Sequence, residues 1–242
     1  MKIIRIAVAL LLGAAVAIAC ANTVTVEEKI KKLVEQSLGD GTKVDSVAEA
    51  QFHGLYEIRI GSDIMYTDKN VKYMMFGGHV IDLHAHRDMT KERMDEFNKI
   101  KFADLPFDSA IKMVKGDGKR VIAVFEDPNC GYCKRLRHTL ADMDNVTVYT
   151  FMFNILADDS FVKAKNIWCS GDRLKAWDDW MLAGKAPAVA PETCTANPND
   201  QILALGRKFH VNATPTIFFA DGSRVPGAID AGGLEERWKA IH

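Results

Sequence analysis

Each shortage in this sequence narrows what the chain can be. It has no low-complexity stretch and no internal repeat, so a disordered scaffold, a fibre and a repeat array are set aside. Neither sign of charge is in excess. A formal net charge of -1 gives no electrostatic reason to invoke nucleic acid. The one apolar run near the start is too short to favour a transmembrane span. Cysteine is sparse, with five in 242 residues. That length is enough for one large domain or two small ones.

The first 21 residues stand apart. Lys2 and Arg5 make a short positive start, and Ile6 to Ile18 is apolar with a single Gly13 and no charge. Small residues follow at Ala17, Ala19, Cys20 and Ala21. This is the order of a cleavable secretory signal peptide over residues 1–21, with Asn22 as the mature start. Cleavage after Ala19, or lipid anchoring at Cys20, are the other readings. Lipidation is disfavoured by Ala17 where a lipoprotein signal usually has Leu. Removing residues 1–21 takes away Lys2, Arg5 and no acid, so the formal charge moves from -1 to -3. Cys130, Cys133, Cys169 and Cys194 remain, and an even count in an exported chain points to disulfide chemistry.

Two halves follow. Ile30, Leu33, Val34 and Leu38 recur at helical spacing within Val26 to Leu38. Short strand-like pieces come next at Lys43 to Val47, Gly54 to Ile60, Val71 to Phe76 and His79 to Leu83, with turns at Gly61-Ser62 and Gly77-Gly78. Such a small α+β unit has a small core, so help from a partner chain is expected. Thr90 to Ile100 reads as a connecting helix with Thr90 as the candidate cap, or else as the first helix of the second half. Beyond it, Phe107 to Val114 reads as a short helix and Val121 to Phe125 as a strand buried on both faces. A helix then runs to about Met143, followed by a strand at Val146 to Phe153 and mostly helix over 158–209. Strands at Pro215 to Phe219 and Arg224 to Pro226 and a helix at Leu234 to Ile241 complete a thioredoxin arrangement.

Cys130-Gly131-Tyr132-Cys133 lies directly between a buried strand and a helix. Three-residue spacing puts both sulfurs on the first helical turn, where unpaired N–H groups and the helix dipole favour a thiolate. The thiolate is the attacking species in disulfide exchange. Cys130, nearer the helix end, is expected to be the nucleophile and Cys133 the resolving thiol, with Gly131 and Tyr132 tuning the pair. A zinc site needs a second close ligand pair; Cys169 and Cys194 are too far apart to supply one, so neither metal nor cofactor is implied. Thr214-Pro215 stands just before a strand, where a thioredoxin fold carries a cis proline beside the sulfurs. The Thr214 backbone is then placed to pair with an extended substrate segment. Cys169 and Cys194 bracket the helical insertion and read as a structural bridge, with a second redox pair as the alternative. Glu126 and Asp127 read as solvated loop acids, with proton transfer near Cys130 as the second reading. His84 and His86 read as exposed loop histidines rather than metal ligands.

Several segments carry a family resemblance. They are Val124-Phe125-Glu126-Asp127-Pro128-Asn129-Cys130-Gly131-Tyr132-Cys133, Ile167-Trp168-Cys169, Lys175-Ala176-Trp177-Asp178-Asp179, Ala190-Pro191-Glu192-Thr193-Cys194 and Ala213-Thr214-Pro215. In these the chain resembles the dimeric periplasmic disulfide isomerases of the DsbC/DsbG type, and the Gly-Tyr pair is closer to DsbC. Residues 22–100 resemble the family in layout and only weakly in sequence. The resemblance implies a cystatin-like α+β dimerisation domain over 22–85, a linker helix over 86–103 and a thioredoxin fold with a helical insertion over 104–242. It further implies a V-shaped homodimer with unfolded or misoxidised exported proteins in its cleft, a reduced Cys130/Cys133 pair maintained by a membrane thiol reductase of the DsbD type, and a structural Cys169–Cys194 bridge. Single-domain thioredoxins carry a buried acid six residues before the first cysteine, where this chain has Val124. The expected activity is disulfide isomerisation. A dedicated oxidase or reductase and a dimeric holdase chaperone are the rivals.

Overall fold

The computed structural model describes residues 24–241 apart from 40, 53 and 196. The expected signal peptide, with Cys20, lies outside the described residues.

The first unit begins with α1, Val26–Leu38. Thr25 caps it: the Glu28 N–H donates to the Thr25 hydroxyl while the Thr25 N–H donates to the Glu28 carboxylate. Its apolar stripe buries Ile30 and Val34 fully against Val44 and Ile58. The strands are β1 (Ser46–Glu49), β2 (Leu55–Ile60), β3 (Asp63–Asp68) and β4 (Met74–Met75), an antiparallel sheet in that order. Here the sequence reading needs correction. The strand expected at Lys43 to Val47 starts later, at Ser46. Val71 has a positive φ of 54°, which confines the next strand to Met74 and Met75. β3 was not anticipated, although Ile64 and Tyr66 alternate into the core on the far side of the Gly61-Ser62 turn.

A two-residue ribbon, β5 (Ile81–Asp82) with β6 (Arg87–Asp88), leads into α2, Met89–Phe97. His84 and His86 sit exposed in its turn. The cap of α2 is Asp88, whose carboxylate accepts the Lys91 N–H at 2.8 Å, rather than Thr90. Thr90 is buried, its hydroxyl bonded to Tyr66 and accepting the Val80 N–H. After α2 the chain is held from both sides. The Asn98 amide donates to the Ser62 carbonyl, and the Ile100 N–H donates to the Gly222 carbonyl at 3.0 Å. Gly222 has φ +83°, and a Cβ there would lie 1.9 Å from the Ile100 carbonyl oxygen, so the contact requires glycine.

The second unit is a five-stranded sheet with helices on both faces. Its strands are β7 (Ile111–Lys115), β8 (Arg120–Glu126), β9 (Val146–Met152), β10 (Thr216–Phe219) and β11 (Arg224–Pro226), in the order β11-β10-β8-β9-β7. β8 and β9 run parallel and the other pairings are antiparallel. The helices are α3 (Gly131–Asp142), α4 (Asp158–Trp168), α5 (Arg173–Ala183), α6 (Asn199–Lys208) and α7 (Ala231–Ile241). The helix expected over Phe107 to Val114 is a 3-10 turn, Phe107–Ser109, followed by β7. Ile111 and Met113 point into the core while Lys112 and Val114 face out, a period of two that favours a strand.

Central β8 is buried on both faces, as its apolar run requires. Ile122 and Val124 pack with Leu136 and Leu140 of α3 and with Leu234 and Trp238 of α7. Ala123 and Phe125 face the other way, where the Phe125 ring stacks on Phe151 at 5.1 Å and meets Phe153 and Phe218 edge-on. Cys169 and Cys194 form a disulfide across the insertion, with Cα atoms 6.0 Å apart. A bridge spanning 25 positions restricts the unfolded chain by roughly 3 kcal/mol. The double variant Cys169→Ala/Cys194→Ala is therefore expected to lose about 3 kcal/mol in urea unfolding. A loss under about 1 kcal/mol contradicts the structural role.

Candidate active site

The Cys130/Cys133 pair is built where the central strand turns into a helix. β8 ends at Glu126, one residue beyond the apolar run, and Asp127-Pro128-Asn129 carries the chain to Cys130, the N-cap of α3. The Cys133 N–H donates to Cys130 Sγ at 3.2 Å, so the sulfur occupies the capping position for an otherwise unpaired donor. On its other side the Cys130 thiol donates to the Thr214 carbonyl at 3.3 Å. Thr214-Pro215 is a cis peptide. Residues 84 positions apart in sequence thus meet at one sulfur. Both thiols are unbonded, with Cys130 4 % exposed and Cys133 fully buried. Gly131 and Tyr132 lie on the exposed first turn, and the Arg135 guanidinium covers the Tyr132 ring at 4.7 Å.

Glu126 and Asp127 are not solvated loop acids. Both are completely buried. Asp127 accepts the Asn129 N–H at 2.7 Å, the Ile155 and Leu156 N–H groups at 2.8 and 2.9 Å, and the Ser160 hydroxyl at 2.8 Å. One carboxylate therefore ties the turn before Cys130 to the end of β9 and the start of α4. Asn129 extends the tie, donating to Asp159 and Ser160 and accepting from Lys163.

Glu126 shares a strand face with Ile122 and Val124, which places it beneath α3. Thr150 of β9 donates to its Oε2 at 3.1 Å, and no described residue donates to Oε1. Burial raises its pKa to about 7, against the lowering effects of Arg137 and Thr150. Burial also pushes the Cys133 thiol far up, and the negative charge of Glu126 adds to that. Arg137, 1 % exposed, donates to Asp178 of α5 at 2.6 Å. Trp180 of α5 donates its indole N–H to the Pro128 carbonyl at 2.6 Å, and its ring lies under the ammonium groups of Lys134 and Lys163.

Sequence reading missed Arg137 and Trp180 as neighbours of the site. The signal for Glu126 was present in the alternation Ile122, Val124, Glu126, which continues a buried face through a charged residue. Among the described residues, no three metal-ligating side chains come together, and no helix is long and apolar enough to cross a membrane.

Two expectations follow from the paired acids. Asp127→Ala leaves several buried donors unpaired and is expected to lose at least about 3 kcal/mol of stability; a nearly unchanged urea midpoint contradicts the tie. Glu126 binds its proton more tightly in the folded chain than in the unfolded one. Its contribution is complete below the ordinary value of 4.5 and is lost as pH rises through about 7. That difference amounts to about 3 kcal/mol. Urea midpoints of the dithiol protein are expected to fall across that window, and Glu126→Gln to flatten the fall. An equal slope in the variant overturns the assignment.

Comparison with known proteins agrees with this geometry. Residues 107–241 match the thioredoxin-like domain family, and residues 19–91 match the disulfide bond isomerase protein N-terminal domain. The chain is 50% identical over 198 residues to a probable thiol:disulfide interchange protein DsbC of Bordetella pertussis, covering 82% of this chain and 69% of that one. It is 29% identical to the thiol:disulfide interchange protein DsbC of Escherichia coli, over 80% of this chain and 81% of that one. Among solved structures, a disulfide interchange protein from Neisseria gonorrhoeae superposes with a TM-score of 0.52 at 42% identity, covering 56% of this chain and 97% of that one. A strand-to-helix redox pair on a thioredoxin-like sheet, preceded by an isomerase-type N-terminal domain and joined to relatives over most of its length, has one reading: the chain belongs to the DsbC family of thiol:disulfide interchange proteins, a group of disulfide isomerases.

Proposed function

We propose that Cys130 is the attacking thiol and Cys133 the resolving thiol of this isomerase. The observation that carries the assignment is the position of Cys130 Sγ. It caps α3 through the Cys133 N–H, lies beside the Thr214 carbonyl and is the more accessible of the two sulfurs. The Cys130 thiolate attacks one sulfur of a wrong disulfide, which joins Cys130 to the substrate and releases the other substrate sulfur as a thiolate. A second substrate thiol then displaces Cys130, giving reshuffling, or Cys133 does so, giving net reduction. Gly131, Tyr132, Thr214 and Pro215 frame the sulfur, and the Thr214 backbone is the pairing edge for an extended substrate segment. Exposed Tyr132, Ile155 and Leu156 give the rim an apolar character suited to unfolded chains.

The wider assignment is of the same kind. Residues 22–85 form a dimerisation domain, 86–103 a linker and 104–242 the catalytic domain, with residues 1–21 directing export to the periplasm. Exposed Tyr73, Phe76, Ile81 and Leu83 on the first unit support a homodimer. Its clients are unfolded or misoxidised exported proteins. A membrane thiol reductase of the DsbD type returns the Cys130/Cys133 pair to the dithiol.

Recovery of activity from a scrambled multi-disulfide substrate in a redox buffer tests this reading. The wild-type protein is expected to restore activity and Cys130→Ala to lose the effect. Efficient oxidation or reduction without unscrambling supports a dedicated oxidase or reductase instead. Suppression of aggregation by Cys130→Ala with a cysteine-free substrate isolates any holdase contribution.

A further inference from the structure

Resolution by Cys133 faces a difficulty that the geometry makes specific. The attacking species must be a thiolate, yet Cys133 is fully buried among Ile111, Met152, Ile167 and Trp177. Solvent is not a ready acceptor for its proton there. One acid shares that region. Cys133 and Arg137 are four residues apart on the buried side of α3; Arg137 acts electrostatically on Glu126 beneath them, and Glu126 acts on Cys133. Glu126 is completely buried, and its Oε1 has no donor among the described residues.

We propose that Glu126 accepts the Cys133 proton during resolution and thereby sets how the mixed disulfide divides between net reduction and reshuffling. This rests on the reading of Cys133 as the resolving thiol. In the step, the Cys133 S–H proton passes to the Glu126 carboxylate, directly or through one water. The Cys133 thiolate attacks Cys130 Sγ, the Cys130–Cys133 bond forms, and the Cys130–substrate bond breaks. The electron pair leaves on the substrate sulfur, which is protonated by Glu126 or by solvent. Cys130 and Cys133 are thereby oxidised as the substrate disulfide is reduced.

The surroundings of Glu126 suit this duty. From β9, Thr150 holds Oε2 and leaves Oε1 open. From α3 come Cys133 and the buried cation Arg137, and from α5 comes Asp178, which pairs with Arg137 and moderates its charge. Raised to about 7 by burial, Glu126 changes charge near neutral pH, where an acceptor has to be both available and basic enough to compete. Where Glu126 is protonated, resolution slows and the mixed disulfide persists for a second substrate thiol.

The test follows both steps in one reaction of the full-length protein with an aromatic disulfide reagent that releases a coloured thiol. The first release reports attack by Cys130 and the second reports resolution. For the wild type, the resolution rate is expected to rise with pH and bend over near about 7. Glu126→Gln is expected to slow resolution about 100-fold at neutral pH and remove the bend. Glu126→Asp is expected to restore the bend, and the loss in Glu126→Gln is expected to fall at least tenfold more on resolution than on first attack. An unchanged bend and rate in Glu126→Gln, or an equal slowing of both releases, overturns the proposal. In Cys133→Ala the second release must disappear. If it persists, the reading of Cys133 as resolving thiol fails; if it disappears while Glu126→Gln resolves normally, only the role of Glu126 fails. Should Glu126→Gln not fold, infrared spectroscopy of the wild type decides. A buried carboxyl band that titrates near neutral pH and shifts when Cys130 and Cys133 are oxidised supports the proposal, and a band indifferent to that oxidation overturns it.

Discussion

The Asp127 carboxylate is where the architecture of the redox site is tied together. It follows directly on the central strand β8, is removed from water, and accepts hydrogen bonds from three backbone N–H groups and one hydroxyl. Those donors come from the turn before Cys130, from the segment leaving β9 and from α4. A buried carboxylate is tolerated only when its lone pairs are satisfied, so the three segments have to arrive together. The parallel pairing of β8 with β9 brings their ends side by side, and Asp127 locks the loops that leave them. The position of Cys130 at the head of α3 is a consequence of that lock.

The same turn makes two chemically equal cysteines unequal. Cys130 is the cap residue, touching the Cys133 N–H on one side and the Thr214 carbonyl on the other. Cys133 is one helical turn deeper, surrounded by apolar side chains and facing a carboxylate. Burial disfavours the charged form of Cys133, while Cys130 keeps a path to solvent. With Cys130 attacking and Cys133 resolving, as proposed, a slow resolving thiol leaves time for a substrate thiol to displace Cys130. In the proposed mechanism Glu126 influences that timing.

The sheet of the first unit buries one face on α1 and leaves apolar side chains exposed near the ribbon of β5 and β6. The Asn98 side-chain amide at the end of α2 donates to the Ser62 carbonyl of the first unit, while the Ile100 N–H donates to the Gly222 carbonyl of the second and Lys99 pairs with Asp221 there at 3.3 Å. Ile100 also packs against the apolar cluster around Phe125 and Phe218. The absence of a side chain at Gly222 allows the backbone-to-backbone approach.

The sequence by itself determined the thioredoxin arrangement, the cysteine pair at a helix start, the proline before β10 and the bridged insertion. Each rests on a local pattern: a strand buried on both faces, a three-residue cysteine spacing at a helix start, and turn residues between periodic segments. It did not determine β7, because a five-residue edge strand alternating Ile111, Lys112, Met113 and Val114 also offers apolar residues at helix-like intervals. β3 was legible only through its alternation, and the cap of α2 was misplaced by two residues because Asp88 and Thr90 are both good capping types. Above all, the sequence left Glu126 and Asp127 as solvated loop acids. Whether a charged residue beside a strand faces water or the interior is settled by what packs over it. Here α3 and α5 from one direction, and β9 with α4 from another, close over two acids whose charge alone argues for the surface.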